Sequence, residues 1–491
     1  MITVSYLNGR LFFMYFLKQI NRLHFSFFLA ALLGAPATQS LKKGLPFLST
    51  PLTISDVSKT GNYPIAKLYK PESVEELQNI VKNSLLPISV AGGRFSQGGH
   101  IACKYGNVVD ITGLDAVKKL NFIAQEITVE TGITWRAIQD YIAPYNLSVK
   151  VMQSYNDFTV GGSLSVNVHG RDIHYGPLIE TVKEIEILLA DGTLVKASRT
   201  QNSDLFAAAI GGYGAVGIIT QATLSLTSNS RITQTIKRMP VEDYTHYFLE
   251  HIRNNPQAVL HNANLYPNDF KTVGSITWYH TDQATTINEQ LQEDKNFFPK
   301  QMIAEQMLRR VPLFKKIRPW IELKKMTDPL VVNRNYEMSS TVKSLEPLVR
   351  FPTTTVLQEY FIPINSLMPF IEKLRLLVQE YDINILNISI RYIPQNTESI
   401  LSYARNECFS LVFYINFLNT KSGLEYAQKW TRELIDCALS LAGTYYLPYQ
   451  LFGTVEQVRK AYPRLDEFIE IKKKYDPNHR FCNVFLKKYS I

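Results

Sequence analysis

The stretch 92-GGRFSQGGH-100 decides the reading of this chain, together with its distant counterpart 161-GGSLSVNVHG-170. Backbone stripped of Cβ atoms can approach a bulky anion closely and present its own N–H groups as donors. Two such surfaces, separated by a long piece of chain, imply one large phosphate-bearing cofactor held between them.

A third glycine cluster, 211-GGYGAVG-217, spells G-x-G-x-x-G through Gly212, Gly214 and Gly217. That dinucleotide fingerprint works only after a strand and before a helix, where a pyrophosphate meets the helix N-terminus. Here the order is reversed. Residues 204–210 are Ala-rich and read as helix, and 218–226 alternate as a strand. A nucleotide-binding βαβ unit is therefore set aside.

Outward from the loops, a helix is expected from Pro71 over 74–82, then the strand 87–91 that feeds the first loop. Further strands are expected at 108–111 and 126–130, with a helix over 134–142. The strand 182–190 ends at the turn signal Asp191-Gly192. Downstream, the strands 356–362 and 410–417 flank the helix 367–381. At 491 residues the chain exceeds one compact core. The fold class is α+β, divided into a leader at 1–40, a cofactor domain at 60–230, a second α+β substrate or cap domain at 231–440, and a C-terminal segment, 441–491, packing back on the first domain.

Composition is 45% apolar and 19% charged, that of a packed globular protein. The net charge of +9 is spread out, and no basic run interleaved with aromatics resembles a nucleic-acid module, so nucleic acid is not an expected partner. Cys103, Cys408, Cys437 and Cys482 show no C-x-x-C spacing; no metal site is expected, and buried free thiols are. Lys18, Arg22 and His24 precede the apolar run 25–34, and Ala35-Pro36-Ala37 follows, the pattern of an export signal. The greasy patch 11–17 makes an uncleaved membrane anchor the other reading, and both predict an exported (periplasmic or extracytoplasmic) or membrane-associated protein. A basic stretch over 297–325, with Phe314 and Trp320, suits peripheral membrane contact or a solvated face broken by Pro312 and Pro319.

The segments 87-PISVAGGRFSQGGH-100, 159-TVGGSLSVNVHGRD-172, 181-TVKEIEILLADGTLV-195 and 211-GGYGAVGIITQATLSL-226 resemble the vanillyl-alcohol-oxidase family, the p-cresol-methylhydroxylase-type (PCMH-type) FAD-binding oxidoreductases. Near the other end, 461-AYPRLDEF-468 and 475-YDPNHRF-481 are similar too. The resemblance implies a two-subdomain FAD-binding domain. In it, Gly92, Gly93, Arg94, Phe95, Ser96 and Gln97 cradle the FAD pyrophosphate through backbone N–H groups. Thr159, Gly161 and Gly162 line its other side, and Ser165, Asn167 and His169 lie nearer the flavin. The main chain of Ile218 or Ile219 meets the adenine side, and Tyr446, in 445-YYLPY-449, lies beside the isoalloxazine. The plainer alternative is that some of these glycines only make tight turns.

Many relatives carry a flavin-linking histidine just before the serine of the first loop. Phe95 stands there, and residues 155–157 hold no cysteine, so FAD is expected to be non-covalent. A CH–OH donor then needs a base and a polar clamp beside the flavin. Tyr449 is a candidate base if a neighbouring cation lowers its phenol, Arg391 in 388-ISIRY-392 a candidate clamp, and His169 a candidate proton carrier. Glu359, in 357-LQEYF-361, is a weaker candidate whose plainer reading is a solvated strand residue. Sugar-alcohol-oxidising relatives pair such an arginine with the acid of an E-x-R pattern, but here Ser389 replaces it. Lysine is absent at the position of Tyr449, which argues against a polyprenyl-phosphosugar, and the His-Trp-x-Lys segment of aldonolactone and alditol oxidases is missing. The expected substrate is a sugar, polyol or other secondary alcohol, with oxygen, a quinone or a carrier protein as acceptor. A non-catalytic flavin-fold protein that binds a ligand or a membrane surface is the competing class, and a reductase fed by NAD(P)H a third.

Overall fold

The computed structural model describes residues 51–267, 269–293, 330–342 and 352–491. The leader and the basic stretch 297–325 lie outside these residues. Strands β1 (Thr53–Ile54) and β2 (Tyr63–Pro64) form a small pair. Strand β3 (Lys67–Tyr69), helix α1 (Val74–Asn83), β4 (Ile88–Ala91) and β5 (Asn107–Asp110) follow. The three strands make a parallel sheet in the order β3-β5-β4, and Leu77 and Val81 of α1 pack on Ile88 and Val109. Helix α1 begins at Val74 rather than at Pro71 because Ser73 caps it, accepting the Glu76 N–H at 3.1 Å. Such a cap contributes about 1 kcal/mol.

An antiparallel sheet comes next: β6 (Val117–Asn121), β7 (Glu126–Glu130), β8 (Leu147–Val149), β9 (Val182–Leu188), β10 (Leu194–Ser198) and β11 (Ile218–Ser228). Its order is β10-β9-β11-β7-β6, with β8 on the far half of β11. Helices α2 (Trp135–Ile142), α3 (Val160–Ser165) and α4 (Ser203–Ala209) lie between the strands in sequence. The third glycine cluster thus joins α4 to β11, helix before strand, as its flanks predict.

The larger sheet holds eight strands: β12 (Arg231–Pro240), β13 (Ala258–Leu265), β14 (Thr272–His280), β15 (Val331–Asn333), β16 (Thr353–Pro363), β17 (Ile385–Ile393), β18 (Cys408–Leu418) and β19 (Thr444–Tyr445). The order is β15-β12-β14-β13-β17-β18-β16-β19. Helices α5 (Val241–His251), α6 (Arg334–Glu337), α7 (Leu367–Tyr381) and α8 (Lys421–Ser440) accompany it, and α9 (Val455–Ala461), α10 (Leu465–Tyr475) and α11 (Val484–Tyr489) complete the chain. Side chains alternate along a strand. Tyr360 and Phe413, on one face of β16 and β18, pack edge-on or tilted with each other and with Phe370 of α7. Thr355, Leu357, Glu359, Tyr414 and Arg391 line a cavity on the other.

Two buried cations tie distant parts together. Lys472 of α10 donates to Asp476, to Ala215 O in the third glycine cluster and to Phe481 O, at 2.9–3.0 Å. Arg334 pairs with Asp172 at 2.9 Å. Pairing and hydrogen bonding of this kind offset the cost of burying a charge.

Candidate active site

One cavity of about 240 Å³ runs between the two glycine loops and that face of the large sheet. Gly92, Gly93, Arg94, Phe95, Ser96 and Gln97 line it from the first loop, and Thr159, Gly161, Gly162 and Ser165 from the second. Ile218, Ile219 and Tyr446 line it as well, as do all three catalytic candidates, Tyr449, Arg391 and His169. Asn167 is the exception. It sits behind the wall at φ 47°, and its carboxamide oxygen accepts the Ile179 N–H at 3.0 Å.

The loops meet because Gly92 has no side chain: a Cβ there would stand 2.3 Å from Thr159 Oγ1. Thr159 in turn caps α3 by accepting the Gly162 N–H at 3.2 Å. Arg94 adopts φ 62°, a conformation that costs a non-glycine residue about 1–3 kcal/mol. Its guanidinium is held by Asp110 at 2.9 Å, which fixes the loop. The N–H groups of Arg94, Phe95 and Ser96 donate to no described residue. Free backbone donors on a bend without room for a Cβ fit a diphosphate, and FAD carries one. The Phe95 ring packs on Phe158, with centroids 4.4 Å apart, and offers no nucleophile.

The opposite wall corrects the sequence reading. Glu359 is 3% exposed, not solvated. Its Oε1 meets His169 Nε2 and accepts from Ser410 Oγ at 2.5 Å, and its Oε2 accepts from Tyr449 Oη at 3.1 Å. Burial pushes the Glu359 carboxyl up, but the His169, Arg391 and Ser410 contributions outweigh it and hold the group below the ordinary carboxylate value. Tyr449 moves the other way: burial and the Glu359 charge raise its phenol well above 10, and the pull of Arg391 does not prevail. Tyr449 therefore stands protonated and donates its hydroxyl hydrogen bond to Glu359. Arg391 is pulled down by burial, an effect that Glu359 partly offsets.

The Arg391 guanidinium makes no hydrogen bond with any described residue, and its Nε is sealed from solvent. The strand register explains how it finds an acid although Ser389 stands in the E-x-R position. Ser389 pairs with Val412, and Val412 with Glu359, so the carboxylate occupies the same cross-strand row two strands away. Period-2 alternation places Arg391 on that same face. Among the residues missed from sequence, His100 lines the cavity with Nε2 on Leu447 O at 3.0 Å, leaving Nδ1 without a partner. Burial lowers its pKa to about 4.

The 445–449 segment reaches the site because β19 pairs with β16, placing Tyr445 opposite Tyr360. Tyr446 N–H then donates to Glu359 O at 2.9 Å, and Gln97 N–H to Pro448 O at 2.8 Å. No group of His, Cys, Asp or Glu among the described residues is arranged to hold a metal ion, and no described helix is long and apolar enough to cross a membrane.

Comparison with known proteins agrees with this geometry. Residues 65–198 match the family described as FAD binding domain, and 222–489, more than half of the chain, match D-arabinono-1,4-lactone oxidase. L-gulonolactone oxidase of Mus musculus is 27% identical over 170 residues, 34% of this chain and 38% of that protein. Cytokinin dehydrogenase 3 of Arabidopsis thaliana is 31% identical over 173 residues, 33% of each chain. A putative D-arabinono-1,4-lactone oxidase of Neurospora crassa is 29% identical over 163 residues, 32% of this chain and 29% of that one. These matches span about a third of the relatives' own length. With both halves matched in their proper order around this cavity, the chain belongs to the PCMH-type FAD-binding oxidoreductase family.

Proposed function

We propose that the chain oxidises a CH–OH group of a sugar, polyol or sugar-derived lactone, with FAD bound non-covalently between the two glycine loops. The observation that carries this reading is the uncommitted Arg391 guanidinium facing the cavity beside an ionised, triply hydrogen-bonded Glu359. Bound FAD supplies a two-electron acceptor for hydride. The protein's part is to orient the alcohol and take its proton. Arg391 donates to the substrate oxygen and stabilises charge that develops there. Glu359, an acceptor-only carboxylate, draws the hydroxyl proton through Tyr449 or His169, both of which touch it. The similarity to lactone oxidases favours a polyhydroxylated substrate over a cytokinin, because Arg391 offers donors that an oxygen-rich ring can fill. Oxygen is the acceptor those oxidase names imply; the leader and the basic stretch favour work at or beyond a membrane.

The test is an anaerobic titration of purified protein with aldonolactones, polyols, aldoses and amines, followed by flavin absorbance. Bleaching by a hydroxylated sugar derivative and not by amines supports the reading. Bleaching by NADPH alone overturns it. Acid precipitation is expected to leave a colourless pellet and a yellow supernatant; a yellow pellet refutes non-covalent binding at Phe95.

A further inference from the structure

Cys103 and Cys482 lie 379 positions apart in sequence, yet their sulfurs stand 2.9 Å from each other in the interior. The backbone holds both in place. Cys103 N–H donates to Ser89 Oγ at 3.1 Å, Cys482 N–H to Ile88 O at 2.9 Å, and Val484 N–H to Ala102 O at 2.9 Å. Each thiol is thus fixed against the other by neighbours on β4 and on the loop that follows the first glycine stretch. Cys408 and Cys437 are buried elsewhere and touch no sulfur among the described residues.

The two sulfurs are not equivalent. The hydrogen bond from Cys482 and the charge of Lys487 hold the Cys103 thiol down, to about 7, whereas contact with Cys103 and burial push Cys482 up. Cys103 is therefore the sulfur that ionises first, and the thiolate is the nucleophile in thiol–disulfide exchange.

The pair also abuts the cofactor cavity. Asn483, next to Cys482, caps α11 by accepting the Leu486 N–H at 2.9 Å. Phe485 of that helix stacks on His100 in the cavity wall with centroids 5.2 Å apart, and packs on Tyr213 at 4.6 Å.

We propose that Cys103 and Cys482 are the site of a disulfide that fastens α11 to the wall of the cofactor cavity. Local opening at α11 admits a low-molecular-weight disulfide; the Cys103 thiolate attacks one of its sulfurs, and half of that oxidant leaves as a thiolate. The Cys482 thiolate then attacks Cys103 Sγ and displaces the other half. Two protein thiols are oxidised to one disulfide, one small disulfide is reduced to two thiols, and the two cysteine protons pass to the departing sulfurs.

Full-length holoprotein is incubated with oxidised glutathione, quenched in acid, unfolded, and its thiols counted before digestion without reduction. The expected result is loss of two of the four thiols and a peptide pair joining Cys103 to Cys482, reversed by dithiothreitol. Four thiols throughout, a linkage through Cys408 or Cys437, or glutathione retained on Cys103 overturns the proposal. In Cys482→Ser, glutathione is expected to remain on Cys103; an unmodified Cys103 there refutes the order of attack. Oxidised holoprotein is expected to release FAD on dilution several-fold more slowly than reduced holoprotein, and equal rates refute the fastening role.

Discussion

The Tyr449 phenol donates to Glu359 across 3.1 Å, joining the loop after β19 to a carboxylate on β16 of the large sheet. The carboxylate helps keep the phenol protonated, while His169, Arg391 and Ser410 keep the carboxylate ionised despite its burial.

Glu359→Gln removes the proton acceptor while preserving shape. Turnover of the reactive substrate should fall by about 10²–10⁴-fold, the usual worth of a positioned acid or base. Flavin content per mole of protein should stay unchanged. A variant with normal turnover removes Glu359 from the chemistry.

Tyr449→Phe deletes one of three donors to that carboxylate and so raises its pKa. Activity depends on the ionised form and is lost as pH falls, so the acid limb of kcat against pH should move upward. Steady-state profiles of the two proteins decide this, and coincident limbs would separate Tyr449 from Glu359.

Arg391→Lys keeps a charge but loses the planar fork of donors. Transition-state charge stabilisation of this kind is worth about 10²–10³ in kcat. The expected loss is of that size and includes kcat itself, whereas a loss confined to KM would make Arg391 a binding residue only.

Gly92→Ala sets a methyl group 2.3 Å from Thr159 Oγ1. The loops should separate and FAD should be lost on gel filtration. Adding Thr159→Ala removes the clashing oxygen and should restore part of the bound flavin. If Gly92→Ala binds FAD normally, the close approach of the two loops is not required.

His100 couples stability to pH. Its folded pKa of about 4 lies below the ordinary histidine value of 6.5, so the unfolded chain takes up the proton first. Stability is then full above pH 6.5, declines as pH falls from there to about 4, and is flat below. The loss is on the order of 3 kcal/mol, at 1.36 kcal/mol for each unit. Urea unfolding at pH 7 and pH 4.5 should show it; His261, which burial lowers to about 3, adds a loss of the same sign, so His100→Gln should remove about half of the histidine-linked difference.

The cofactor half of the site was legible because glycine loops, turn signals and strand alternation are local properties. The rejected fingerprint at Gly212, Gly214 and Gly217 shows the same: the order of α4 and β11 was readable from their flanks. Glu359 was not, because its meaning depends on register. One charged residue in an otherwise apolar strand looks solvated until β18 is seen to place it in the row of Ser389. The signal available was the strand itself: 353–363 is apolar on both faces apart from its polar start and 358–359, which is unusual for a strand with a wet side. The pairing of Cys103 with Cys482 was equally hidden, since no local pattern reports a contact across 379 positions.

The pairing of β19 with β16 has a consequence for synthesis. A chain still emerging from the ribosome displays both glycine bends long before Tyr446, Pro448 and Tyr449 exist to close the cavity over them. Domains fold as their residues appear. Tight uptake of FAD must therefore wait for translation to pass this point, and the vitamin-derived ligand becomes a late checkpoint of maturation instead of a template for it.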